Sequence, residues 1–171
     1  MVDQQYNVLF LCTGNSARSI LAESLLNRLG NGRFRAFSAG SHPSGTVNPH
    51  ALELLKTRAF PTDGLRSKSW DEFAAPAGPH FDFIITVCDN AAGEVCPVWL
   101  GNPGSAHWGI PDPAAVQGGD SEKRAAFELA YRQLHARVER FLSLPLASLD
   151  PSRLRNEMAA IGKMPLTEFP A

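Results

Sequence analysis

Residues 8 to 26 read VLFLCTGNSARSILAESLL, and the fold follows from this stretch outward. Val8, Leu9, Phe10 and Leu11 form a continuous apolar run, the pattern of a buried strand. Ile20, Leu21, Leu25 and Leu26 recur at the spacing of one helix face. Between strand and helix lies a short polar loop, residues 12–18. Such a junction points backbone N–H groups of a helix N-terminus into the loop, where the helix dipole favours an anion. Cys12 opens the loop and Arg18 closes it.

Those residue types suit one kind of chemistry. A thiol attacks well only once ionised, and converging amides, a helix N-terminus and a guanidinium all favour the thiolate, so a depressed pKa is expected for Cys12. The same donors hold a tetrahedral oxyanion against the sulfur, and Arg18 offers a planar fork that matches two of its oxygens. Gly14 and Asn15 tolerate positive φ, which a loop needs if its N–H groups are to converge. Ser16 and Ser19 can add hydroxyl bonds. The plainer alternative makes Cys12 a small buried hydrophobe and Arg18 a solvated helix residue, but the placement between strand and helix favours a site. A dinucleotide fold is disfavoured, because the loop has a single Gly and no G-x-G-x-x-G.

Working away from this loop, residues 33–39 alternate and are expected as a second strand ending at Gly40. Asn48 and Pro49 read as a helix cap and first position, with Ala51, Leu52, Leu54 and Leu55 on the apolar side as far as about Ala59. Ser69 and Glu72 have capping-box spacing for a short helix that Pro76 and Pro79 stop. Residues 81–87, FDFIITV, are the most hydrophobic strand, with Cys88 at its end, and residues 105–109 are expected as a short last strand. Ser121 is expected to cap the longest helix, with Phe127, Leu134, Val138, Phe141 and Leu142 inward. Strands alternating with helices predict an α/β domain with a parallel sheet, whose ligands sit beyond the C-terminal strand ends, where Cys12 and Cys88 fall. Residues 145–171 are broken by Pro145, Pro151, Pro165 and Pro170, and only 151–161 have the pattern of a helix. They read as an extension of a domain spanning residues 1–144, and not as a second domain.

Composition narrows the function classes. A chain of 171 residues is the size of one domain. A net charge of −1 with both signs interspersed points away from nucleic acid and anionic membranes as partners. The N-terminal MVDQQYNVLFL lacks a basic export signal and no run approaches membrane-spanning length, which predicts a cytoplasmic protein. The three cysteines are then expected as free thiols, ligands or redox participants. They lack C-x2-C pairing, and the five histidines lack metal-ligand spacing, so no structural zinc site is expected. Asp112 stands between Pro111 and Pro113, stiffly presented, and a carboxylic acid near the anion loop can protonate a leaving oxygen.

The run CTGNSARS at residues 12–19 resembles the phosphate-binding loop of the low-molecular-weight protein tyrosine phosphatase fold, in particular of the arsenate reductases built on it. The likeness continues through SAG at 38–40, the Cys88 region and HWGIPDP at 107–113, and so covers residues 6–144. It implies three layers around a central four-stranded parallel sheet. It makes Cys12 the nucleophile, and places Thr13, Gly14, Asn15, Ser16, Ala17, Arg18 and Ser19 around the oxyanion, with Asp112 as acid. Ala114 and Ala115 stand where the phosphatases carry an aromatic beside Asp-Pro, which resembles the reductase pattern. In the thioredoxin-coupled reductases two further cysteines relay electrons away from the nucleophile, and Cys88 and Cys96 are the matching pair, at a longer spacing than in that branch. The resemblance also implies a potassium site at Asn15, Glu23 and Ser38, no tightly bound cofactor, and an external dithiol, thioredoxin or glutaredoxin with glutathione. A monomer is expected. The rival expectations are a phosphatase needing only Cys12, Arg18 and Asp112, and a non-catalytic binder of arsenite or a soft metal, which would need neither Arg18 nor Asp112.

Overall fold

Strand β1, Tyr6–Leu11, is flanked by β2, Phe34–Ala39, and β3, Phe83–Thr86, and β4, Gly104–His107, pairs with β3. The order β2-β1-β3-β4 makes a four-stranded sheet in which every pairing is parallel. A computed structural model of the protein describes residues 5–88, 99–101 and 103–165. The helices are α1, Arg18–Leu29, α2, Pro49–Thr57, α3, Asp120–Leu142, and α4, Pro151–Gly162.

The apolar run of β1 has the burial it implied, with Val8, Leu9, Phe10 and Leu11 all at 0% exposure. Successive strand residues point to opposite faces, so both faces of the sheet are covered and the domain has three layers. On one face Phe141 of α3 packs its ring against Phe34, Phe83 and Trp108. On the other, Phe37 meets Phe73 and Phe81 edge-on. From β1 the chain moves one way to β2, then passes back over β1 to reach β3. The reversal leaves a crevice between the C-terminal ends of β1 and β3, the place where open α/β sheets bind ligands.

Several local expectations shift. The ladder to β1 begins at Phe83, because Asp82 turns its carboxylate to accept from the Asn7 amide at 2.8 Å, so the strand is shorter than 81–87. The last strand starts at Gly104 and stops at His107, earlier than residues 105–109. The helix after Ser69 is a single 3-10 turn, Trp70–Phe73. Ser69 caps it by accepting from the Asp71 amide, but Glu72 is held by Arg66 at 2.5 and 3.0 Å. The longest helix is capped from Gly119, whose amide donates to the Glu122 carboxylate at 3.0 Å, and Ser121 lies inside the first turn.

Residues 145–165 pack on the domain. Asp150 accepts from the Arg153 amide at 2.8 Å, Pro151 opens α4, and Met158 and Ile161 are buried. The Trp108 indole donates to Met158 O at 3.0 Å, and Arg137 of α3 donates to Gly109 O and Gly162 O at 2.9 and 3.3 Å. At Gly162 an added Cβ would stand 2.0 Å from His107 O, so only a glycine lets α4 come this close to β4. No described helix is long and apolar enough to cross a membrane.

Candidate active site

The loop between β1 and α1 is braced from outside through its carbonyls. Thr13 O accepts from the His42 amide at 3.0 Å, Gly14 O from the Ser44 amide at 3.0 Å and the Ser67 hydroxyl at 3.1 Å, and Ser16 O from the Asn48 amide at 2.8 Å. A trans peptide sets its C=O and the next N–H in opposite directions. The amides of Gly14, Asn15 and Ala17 therefore turn to the concave side of the loop, and the Gly14 amide reaches the Cys12 sulfur. Asn15 takes φ of 45°, a left-handed value that Asn adopts at small cost. Gly40, the last residue of the SAG run, lies so close beneath the loop that a Cβ there would be 2.3 Å from Thr13 O and 2.5 Å from Cys12 O.

The side chain of Asn15 turns away from the concavity. Its Nδ2 donates to Ser19 Oγ at 2.8 Å, while its Oδ1 accepts from the Lys68 amide at 2.9 Å, and both Asn15 and Ser19 are at 0% exposure. These two residues thus shape the loop from behind, and Asn15 leaves only its amide to face the concavity. The brace from residues 42–48 and from Ser67 and Lys68 had no local signal in the sequence, since each acts through backbone or a lone polar side chain in a turn.

Arg18 opens α1 and reaches across to the loop after β4. Its Nη1 donates to Ile110 O at 3.0 Å and its Nη2 lies 3.6 Å from Asp112 Oδ2. Asp112 is fixed in turn, its Oδ1 accepting from the Ala114 amide at 2.9 Å. The Trp108 and Ile110 amides donate to Thr86 O and Val87 O at 2.7 and 3.3 Å, which ties the Asp112 segment to the end of β3. Ala114 and Ala115 are exposed, so they build no aromatic wall beside the site.

Cys88 follows β3 as Cys12 follows β1, and the register of the two strands brings the sulfurs together. The Thr13 amide donates to Cys88 Sγ at 3.3 Å, and the Cys12 and Cys88 thiols hydrogen-bond. Both are buried, at 6% and 3% exposure, and both are reduced thiols. The Cys88 contact first, then burial, push the Cys12 thiol up from its ordinary pKa, against the opposing pull of Arg18 and the Gly14 amide. This reverses the depressed pKa expected from the loop alone. Two sulfurs in contact cannot both carry charge, so while one is a thiolate the other keeps its proton. Cys96 lies outside the described residues. Glu23 and Ser38 meet behind the loop, the hydroxyl donating to Glu23 Oε1 at 2.5 Å.

The low molecular weight phosphotyrosine protein phosphatase family model matches residues 7–155, which takes in the loop, Cys88 and Asp112. The chain belongs to this family. Within it, the chain is similar to an arsenate reductase of Halalkalibacterium halodurans, 34% identical over 134 residues that cover 78% of this chain and 93% of that protein. An arsenate reductase of Bacillus subtilis is 31% identical over the same shares of the two chains. Among solved structures, that of an arsenate reductase from Archaeoglobus fulgidus aligns with a TM-score of 0.64 at 27% identity, covering 80% of this chain and 99% of that one.

Proposed function

We propose that this protein is an enzyme that reduces arsenate to arsenite at Cys12, with Cys88 as the second thiol. The observation that carries this reading is the Cys88 sulfur at the mouth of the anion loop, hydrogen-bonded by Thr13 and by Cys12. Ester hydrolysis by this family's machinery needs one thiol, a guanidinium and an acid; a second buried thiol against the first is what a two-electron reduction needs. The relatives named arsenate reductases support the same substrate.

Arsenate enters the concavity as an anion held by the Gly14, Asn15 and Ala17 amides and by Arg18, which exchanges its Ile110 and Asp112 contacts for arsenate oxygens. Cys12 thiolate attacks arsenic, and the departing hydroxide takes a proton from Asp112 to leave as water. Cys88 thiolate then attacks Cys12 Sγ. The S–As bond breaks with its electron pair going to arsenic, arsenite departs, and a Cys12–Cys88 disulfide holds the oxidation. Sequence reasoning expected the segment from Cys88 to move or unwind for this step. Cys88 Sγ already accepts from the amide of Thr13, the residue after Cys12, so the step starts with the two cysteines side by side.

Cys96 attacks Cys88 next, freeing Cys12, and the new disulfide is reduced by an external dithiol, thioredoxin or glutaredoxin with glutathione. The test is arsenate-dependent NADPH oxidation with thioredoxin and its reductase, run beside glutathione, glutaredoxin and glutathione reductase. Turnover with one system is expected. Absence of turnover with both, while an aryl phosphate is hydrolysed, would return the protein to plain phosphatase chemistry.

A further inference from the structure

The residues that the resemblance assigns to a potassium ion meet a cation belonging to the chain itself. Asn15 Oδ1 accepts from the Lys68 amide at 2.9 Å and lies 3.5 Å from Lys68 Nζ, which also donates to Arg66 O at 2.8 Å. Lys68 is only 7% exposed and Asn15 is fully buried. Burial pushes the Glu23 carboxyl up from its ordinary pKa, and the Ser38 hydroxyl, Lys68 and Arg66 pull it back. Burial likewise pulls Lys68 down, and Glu23 counters it. An alkali ion is bound by free oxygen lone pairs. Here Asn15 Oδ1 and Arg66 O already receive N–H donors, and the Lys68 ammonium stands beside Asn15 Oδ1. A second positive charge in this pocket would be repelled by the ammonium. The residues do not fit a potassium ion, which corrects the expectation at Asn15, Glu23 and Ser38.

We propose that the Lys68 ammonium is a built-in counter-charge that balances Glu23 and holds Asn15 in its left-handed conformation, so that the anion loop keeps its shape without a monovalent metal ion. Lys68 is a positioning residue, since it touches Asn15 and no substrate. From Asn15 the constraint passes directly to the loop amides and, through the 2.8 Å bond to Ser19, to the first turn of α1. An uncompensated Glu23 would draw the Asn15 side-chain donor away from Ser19 and open the loop. This inference rests on the reading of residues 12–18 as an oxyanion cradle, but on no step of arsenate reduction.

Inorganic phosphate binding tests it, measured by calorimetry in potassium chloride and in choline chloride at equal ionic strength. Wild type is expected to bind phosphate equally in both salts. Lys68→Met is expected to bind about tenfold or more weakly in choline, as follows when one partner of a buried charge pair is removed. Lys68→Met with Glu23→Gln, which removes both charges, is expected to recover most of the affinity in choline, and this double variant escapes the unpaired carboxylate if the single one folds poorly. Several-fold tighter binding by wild type in potassium overturns the proposal. So does a single variant that binds like wild type in choline, or a folded double variant no better than the single one. Wild type that binds no phosphate in either salt overturns the cradle and the proposal together, whereas normal phosphate binding without arsenate turnover removes only the reductase reading.

Discussion

Replacing Cys88 by Ala separates the two roles that the structure brings together at this sulfur. In the resting site the Cys88 contact is the largest influence keeping Cys12 protonated, ahead of burial, while Arg18 and the Gly14 amide oppose it. Removing the sulfur deletes the first influence and leaves the other three, so Cys12 is expected to ionise at lower pH in the variant. A displacement of one pH unit corresponds to about tenfold more thiolate at pH 7. Reactivity gains less than that, because a less basic thiolate is a weaker nucleophile. With a Brønsted slope near 0.4–0.5, tenfold more thiolate gives roughly three- to fourfold faster alkylation. The assay is the pH profile of Cys12 alkylation by iodoacetamide, read by peptide mass. Aryl phosphate hydrolysis should persist in the variant and multiple-turnover arsenate reduction should stop. An alkylation profile that stays in place or moves to higher pH would refute the coupling, and undiminished arsenate turnover would refute the relay.

Other substitutions probe the remaining contacts. Arg18→Lys should lower kcat/KM for an aryl phosphate by about 10²–10³-fold, since an ammonium cannot span both sites now reached by Nη1 and Nη2; near-normal kcat/KM would argue against the cradle. Asp112→Asn should slow the first chemical step by about 10²–10⁴-fold, and by less when the leaving group is already good. Equal losses across a series of aryl phosphates would leave Asp112 as a turn former capping Ala114. Gly40→Ala should cost about 1–3 kcal/mol in chemical denaturation and weaken phosphate binding, because the loop backbone must move to admit a Cβ. Unchanged stability and binding would mean that the contact beneath Thr13 is slack.

What could be read from the chain alone is what lies close together in it. The strand, loop and helix of residues 8–26 are contiguous, so their hydrophobic spacing already carried the fold class and the Cys12 to Arg18 interval the expectation of an anion site. Asp112 was visible because its flanking prolines restrict it locally. That Cys12 and Cys88 fall at strand ends near one another was expected, but their coupling in the resting site was not visible, because it depends on the pairing of β1 with β3, which sets Cys88 against the Thr13 amide 75 positions away in the chain. That coupling reverses the expected direction of the Cys12 pKa, since a coupled pair has a property that neither residue's neighbours in the chain can report. Lys68 was hidden for the same reason: a lysine in a polar turn reads as solvated, and only the packing of its turn under Asn15 buries it. The C-terminal helix likewise had a cap and a proline in its sequence, but whether it docked depended on Gly162 finding the backbone of β4. Local pattern selects elements through short-range sterics and hydrogen bonds, whereas charge balance and thiol coupling depend on distances that exist only once the sheet has closed.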